Sequence, residues 1–191
     1  MKQKKLKGAD YLLLLLYLDN KKPIKSLTRL VKMMFLFNKE VVHNIKDNVK
    51  LNLLPEFIVY NFGPFSRDVY EQVELFRSLK FIEVASNSRV EEMGAFDNFE
   101  LAASCDDDKE FEVDPLYIMY EYRIAQNGIN YVEQKILPLE SNVIDLLTRF
   151  KQKITTLTIK QILYYVYNKY PNYINKSLIK DEVLGYGKDN S

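Results

Sequence analysis

An α+β fold, mainly helical with a small antiparallel sheet, is what the sequence predicts. Apolar residues recur at helical spacing over most of the 191 residues. A central stretch, Phe57-Ile-Val-Tyr-Asn-Phe-Gly-Pro-Phe-Ser-Arg-Asp-Val-Tyr-Glu-Gln-Val73, passes from an aromatic and β-branched run through Gly63-Pro64 into a helix start. After that helix, Lys80-Phe-Ile-Glu-Val84 and Tyr117–Ile124 read as strands, the second with Ile118, Tyr120, Tyr122 and Ile124 on one face. A helix running directly into β-branched residues is winged-helix order, with these strands as the wing.

Taken in order, Lys2 to Lys7 is a basic lead expected to fray. Ala9–Leu18 is apolar nearly all round, so the helix it predicts is buried or lies between layers. Asp19-Asn-Lys-Lys-Pro23 ends it. Ile24-Lys-Ser-Leu-Thr28 leads into a second apolar helix, Arg29–Asn38, with Ser26 or Thr28 as cap. Glu40–Asn52 is expected to hold a short helix and a loop. Phe57–Phe62 has strand composition, and Gly63-Pro64 is expected to stop it. Ser66 can cap the helix from Arg67 to about Leu79, with Asp68 favourable in its first turn and Val69, Val73, Phe76 and Leu79 on one face. Residues 85–116 form a long acidic excursion expected to hold short strands or a hairpin. Ala125-Gln-Asn-Gly128 is expected to turn into a helix over Ile129–Ile136, stopped by Pro138. Glu140–Ile154 and Ile159–Lys169 are amphipathic helices, the second capped by Thr158, and Ser177 caps a last short one. The expected organisation is residues 1–136 as a helical base plus winged-helix-like core with an acidic wing, and 137–191 as a C-terminal helical extension packed on the same domain.

Net charge is +1, so nothing global demands nucleic acid or a membrane surface. Its placement is uneven. Residues 1–50 carry 12 Lys and Arg against 4 Asp and Glu; residues 51–120 carry 5 against 15. The single cysteine, Cys105, excludes an internal disulfide, and its acidic surroundings disfavour a thiolate. The apolar run Leu12–Leu16 is bracketed by Asp10 and Asp19 and is far shorter than the ~20 residues of a spanning helix, so a cytoplasmic protein is expected.

No constellation for catalysis or cofactor binding emerges. His43 is the only histidine, with no nucleophile and orienter placed beside it by spacing, and it reads as a surface or cap residue. Asp106, Asp107, Asp108 and Glu110 lack the offsets of a calcium loop and read as a solvated run. On the would-be reader helix, Arg67, Gln72 and Arg77 share the surface with Asp68, Glu71 and Glu74. Phosphate contacts dominate nucleic-acid affinity, so a negative reader and a negative wing oppose the usual docking of a winged helix on DNA. The remaining phosphate-binding candidates are the basic head: Lys2, Lys4, Lys5, Lys7, Lys21, Lys22, Lys25, Arg29 and Lys32. Tyr164, Tyr165, Tyr167, Tyr170 and Tyr173 either form a contact surface or pack the C-terminal helices.

Three segments carry a family resemblance. Leu30-Val-Lys-Met-Met-Phe-Leu-Phe37 is similar to a helix written roughly Leu-Gln-Lys-Leu-Leu-Phe-Leu. Tyr60-Asn-Phe-Gly-Pro-Phe-Ser66 is similar to Tyr-x-Tyr-Gly-Pro-Phe-Ser, followed by Leu79-Lys-Phe-Ile82 in place of Leu-x-x-Gly-Leu-Ile. Tyr122-Arg-Ile-Ala-Gln-Asn-Gly128 is similar to Tyr-x-Leu-Thr-x-x-Gly. Together they resemble the YwgA-like bacterial and archaeal proteins and, more distantly, the Panacea, or SocA-type, antitoxin domain. The resemblance implies a helical domain of winged-helix character without known enzymatic chemistry, whose distant relatives neutralise toxins or act as adaptors, often near mobile or phage-defence genes. Phe81 stands where the family often has glycine, and the acidic wing is long.

The expectation is a non-enzymatic protein-interaction module, antitoxin- or adaptor-like, with no cofactor and no metal. A basic protein partner would meet Arg67, Glu71 and Glu74 on the central helix and Glu91, Glu92, Asp106, Asp107 and Asp108 on the wing. The alternative is a DNA-binding winged-helix regulator using Lys4, Lys5, Lys21, Lys22, Lys25 and Arg29.

Overall fold

The computed structural model describes residues 5–87, 119–137 and 139–185. It is an α+β architecture, mainly helical, with a three-stranded antiparallel sheet and a separate two-stranded hairpin among the described residues. Helix α1 (Gly8–Lys21) runs through the middle, and Leu12 to Leu16 are all at most 1% exposed. Its all-round apolar surface is explained by what surrounds it: a sheet strand and two later helical segments. The helix stops at Leu18, and Asp19, Asn20 and Lys21 take positive φ of 54°, 53° and 59°. Three successive left-handed residues without a glycine are costly and persist only where their surroundings hold them. Lys151 supplies that hold: its Nζ donates to the carbonyls of Leu18 (2.8 Å) and Lys22 (2.7 Å), and more distantly to Leu16 (3.4 Å).

Ile24-Lys25, expected only as a lead-in, forms strand β1 (Ile24–Lys25), paired antiparallel with a strand almost a hundred residues later. Ser26 then caps α2 (Leu27–Leu36), its Oγ accepting from the Arg29 N–H at 3.2 Å, so the helix starts two residues earlier than predicted. The helix continues as a π turn over Phe37–Val41, and the expected short helix within 40–52 is replaced by 3₁₀ turns at Val42–Asn44, Lys46–Asn48 and Leu51–Leu53. The basic lead does not fray from Leu6 onward: the Leu6 backbone pairs with Asn48 and Lys50, and its side chain is buried.

Gly63-Pro64 is not a stop. Strands β2 (Ile58–Tyr60) and β3 (Gly63–Phe65) form a hairpin with Tyr60 opposite Gly63, so the turn is Asn61-Phe62. Gly63 has φ +82°, and a Cβ there would stand 2.8 Å from the Tyr167 ring, so both conformation and space require glycine. Helix α3 (Arg67–Ser78) follows directly, with Ser66 Oγ accepting from the Val69 N–H at 3.4 Å. Val69, Val73 and Phe76 are buried as predicted. Leu79 is 47% exposed, because the chain leaves the helix there and turns at Lys80 with φ 55°. Strand β4 (Ile82–Asn87) pairs with β5 (Met119–Ile124), giving the order β1-β5-β4. Tyr122 and Ile124 face the core as expected. Glu121, on the other face, is also buried and takes an N–H from Arg123 at 2.6 Å.

Helix α4 (Gln126–Tyr131) passes into a second π turn, Val132–Ile136. Gly128 lies inside this helix rather than in a turn before it. Its role is close approach, since a Cβ would stand 2.2 Å from the Phe81 carbonyl oxygen. Helix α5 (Ser141–Thr156) packs on α1, and α6 (Ile159–Lys169) packs on α2. Thr158 and Gln161 close a reciprocal capping box on α6. The last helix, α7 (Lys180–Gly185), starts three residues after Ser177, whose hydroxyl is 2.7 Å from that of Tyr167 and also accepts from the Ile179 N–H at 3.4 Å. Among the described residues no helix is long and apolar enough to cross a membrane.

Gly128→Ala drives a methyl group into backbone, which cannot yield as a side-chain tip can. The expected loss is about 2–3 kcal/mol in urea unfolding. Gly185→Ala, with nothing within 4 Å of the added carbon, is the matched control and should change stability by less than about 0.5 kcal/mol.

Candidate functional site

Between the outward stripe of α3 and the segment before β2 lies a wide surface groove. Asp68, Glu71, Gln72 and Leu75 recur at i, i+3, i+4 and i+7, which puts them on one side of α3. Facing them are Asn52, Leu53, Leu54, Pro55 and Glu56, with Lys7 and Ala9 behind. The groove between the two walls has a volume of about 560 Å³ and opens widely to solvent.

The walls are held by specific contacts. The Glu56 N–H donates to the Asp68 carboxylate at 2.8 Å, and Asn38 Nδ2 donates to the Pro55 carbonyl at 2.8 Å. Gly8 allows the segment to lie against the start of α1: a Cβ there would be 2.6 Å from Pro55 Cδ. Leu53 and Leu75 nevertheless remain 43% and 54% exposed, and Leu79 continues the stripe one turn on. Lys7 is the one cation among the lining residues, against Glu56, Asp68 and Glu71.

The residues expected to meet a partner divide here. Arg67, Glu71 and Glu74 lie exposed on α3, with Arg67 Nε 3.1 Å from Glu71 and Arg77 3.7 Å from Glu74. Both arginines of the helix thus face glutamates one turn away, and Asp68 engages a backbone N–H. Glu91, Glu92, Asp106, Asp107, Asp108 and Cys105 lie outside the described residues, as does Lys4.

The basic head does not form one surface. Lys5 precedes α1, whereas Lys21, Lys22 and Lys25 lie exposed beyond its far end, at least about 15 Å away at 1.5 Å per helical residue. Arg29 is half-buried, and its guanidinium donates to the carbonyls of Ile154 (2.9 Å) and Leu157, tying α2 to the end of α5. Lys32 is 4% exposed, and its Nζ donates to the carbonyls of Phe62 (2.7 Å) and Pro64 (2.8 Å). Its place on a run of apolar residues, Leu30 to Phe37, was the available signal that it points inward.

Burial without a carboxylate among these partners pushes the Lys32 ammonium down to about 7. Burial likewise lowers Lys151 to about 8, with the Asp19 charge acting the other way. A cavity of about 20 Å³, room for one water, lies beside Lys32 between Thr28, Tyr60, Phe62, Phe65 and Tyr70.

Tyr164, Tyr165, Tyr167, Tyr170 and Tyr173 pack rather than project. Tyr167 is buried, and Tyr170 and Tyr173 meet the Phe35 ring edge-on at 5.1 and 4.9 Å. Glu40 Oε1, on the π turn of α2, accepts from Tyr165 (2.8 Å), Tyr170 (2.8 Å) and Lys169 (2.9 Å). Burial raises the pKa of that carboxyl, but the three hydrogen bonds outweigh it and hold it below the ordinary glutamate value. His43 is exposed. Among the described residues no three His, Cys, Asp or Glu side chains gather to hold a metal ion.

Comparison of the chain with protein-family models, with curated proteins and with solved structures finds no match.

The buried lysines set a pH dependence. In the unfolded chain a lysine keeps its proton to about 10.5, whereas folded Lys32 loses it from about 7. The unfolded state therefore binds more protons in this window, and stability rises as pH increases through it. Tyr167, raised by burial to about 12, acts in the opposite direction only above pH 10. Urea unfolding between pH 7.5 and 9.5 should show stability increasing. Lys32→Met should flatten that slope by up to ~1.4 kcal/mol per pH unit, the value for one proton.

Proposed function

We propose that this protein is a non-enzymatic interaction module, of the antitoxin or adaptor type, that receives a basic protein partner on the α3 face. The observation that carries the proposal is the groove between α3 and residues 52–56, pre-formed, partly apolar and rimmed by Glu56, Asp68 and Glu71. Exposed aliphatic side chains beside carboxylates that outnumber the neighbouring cations, Glu56, Asp68 and Glu71 against Lys7 and Arg67, favour a protein surface bearing both apolar and cationic groups. The order α1-β1-α2, the β2–β3 hairpin, α3-β4-β5, with β5 between β1 and β4, supports the winged-helix reading, in which α3 would be the reader helix. The charge of that helix argues for protein over nucleic acid, because its arginines are matched by its own glutamates. The resemblance to YwgA-like and Panacea-type proteins points the same way and suggests a cytoplasmic role in toxin–antitoxin or phage-defence systems.

The competing reading is a DNA-binding regulator, for which the exposed Lys21, Lys22 and Lys25 at the α1–β1 turn are the available phosphate contacts. Two measurements separate them. A photo-crosslinking residue in place of Leu79 should capture a protein in the native cell, and the adduct should disappear when Glu71→Lys and Leu75→Asp are added. A mixed-sequence duplex should not shift on a gel at low salt. A duplex shift that fades steeply with salt and is abolished by K21E, K22E and K25E together would replace the proposal with the DNA reading.

A further inference from the structure

The groove also constrains the shape of what enters it. We infer that it receives an amphipathic helix of the partner, basic at one end and carrying two aliphatic side chains one turn apart at the other; this rests on the interaction-module reading above.

Its length comes from the α3 stripe. From Asp68 through Glu71, Gln72 and Leu75 to Leu79 is eleven residue steps, about 16 Å at 1.5 Å per step, or three helical turns. Chemistry changes along it. Carboxylates occupy the N-terminal half, and Leu75 and Leu79 occupy the C-terminal half, at 54% and 47% exposure. Leu53 on the facing wall adds a third exposed aliphatic residue.

The recognition mode follows from the walls. One wall is a helix whose backbone groups are bonded internally, and the other is a short irregular segment. None of the residues lining the groove belongs to a strand, so no strand edge lines it. An incoming strand would find no ladder to extend, whereas an incoming helix needs only side-chain contacts at i and i+4. Charge complementarity sets its polarity: Arg67 already pairs with Glu71, so Glu56 and Asp68 stand against Lys7 alone and call for Lys or Arg over that end of the groove. The hydrogen bonds at Pro55 and Glu56 fix the walls in place before anything binds, so little ordering is needed.

The test is a selection that does not presuppose the sequence. A random 16-residue peptide library is selected by messenger-RNA display against the immobilised full chain. The enriched peptides are then measured by fluorescence anisotropy against wild type, Glu71→Lys, Leu75→Asp and the distant Lys25→Glu. All three positions are exposed, and thermal melts followed by circular dichroism confirm that the variants fold. The expected winners are helical, basic at one end, and carry paired aliphatics at i and i+4. They should bind Leu75→Asp at least about tenfold more weakly and Glu71→Lys at least about threefold more weakly, leave Lys25→Glu unchanged, and lose affinity with salt. Failure to enrich, winners that are acidic or lack the spacing, or binding indifferent to both groove substitutions overturns the inference. A protein still captured from position 79 in that case leaves the module reading standing with a different occupant. The expected winners without any captured protein would overturn the module reading, and with it a cellular partner for the groove, while upholding the groove's preference for such a helix.

Discussion

The Lys32 ammonium, holding the carbonyls of Phe62 and Pro64 from within the core, is the contact on which the candidate site depends. It joins α2 to the β2–β3 hairpin at the point where glycine and proline leave few local bonds. Tyr167 closes the other side of that hairpin by filling the space above Gly63. With the hairpin placed, Ser66 stands where it can cap α3, and α3 in turn presents its acidic and aliphatic stripe to the segment at Pro55 and Glu56. A buried cation is expensive unless its donors are met. Here backbone oxygens meet them, and the expense appears as a depressed pKa rather than as an ion pair.

The same economy recurs in three basic residues that a charge count would place on the surface. Arg29, Lys32 and Lys151 each spend their donors on main-chain carbonyls, at the end of α5, in the hairpin and at the α1 turn respectively. The basic head of the sequence is therefore partly interior, and its exposed lysines among the described residues are divided between the two ends of α1. What reaches solvent as a contiguous feature is instead the mixed face of α3. Electrostatics thus favours a partner bearing cations, although the chain is nearly neutral overall.

Much of this was legible from residue order. The helices at 9–18, 67–79, 140–154 and 159–169, the Ser66 and Thr158 caps, and strands β4 and β5 follow from periodicity and capping chemistry alone. Other features required partners distant in sequence. Ile24-Lys25 has no strand signature by itself and becomes a strand only because β5 offers an edge. Gly63-Pro64 has the composition of a breaker, yet a tight two-residue turn folds it back onto β2. Gly128 looked like a turn residue and is instead the contact point of α4 with the Phe81 backbone. The outward stripe of α3 could be read from spacing, but its facing wall, Asn52 to Glu56, could not. No periodicity links that segment to the helix; the Glu56–Asp68 hydrogen bond does.

Lys151 adds a constraint in time. The turn that ends α1 keeps its left-handed backbone against an amine carried about 130 residues later, and the same stretch of leucines is roofed by that later helix. During synthesis the N-terminal segment leaves the ribosome long before either its roof or its staple exists. Leu12 to Leu16 then form an uncovered greasy helix, the sort of stretch that nascent-chain chaperones shield. Completion of this interior must await about 130 further residues of translation, so the leucine helix and its cover mature together rather than piece by piece.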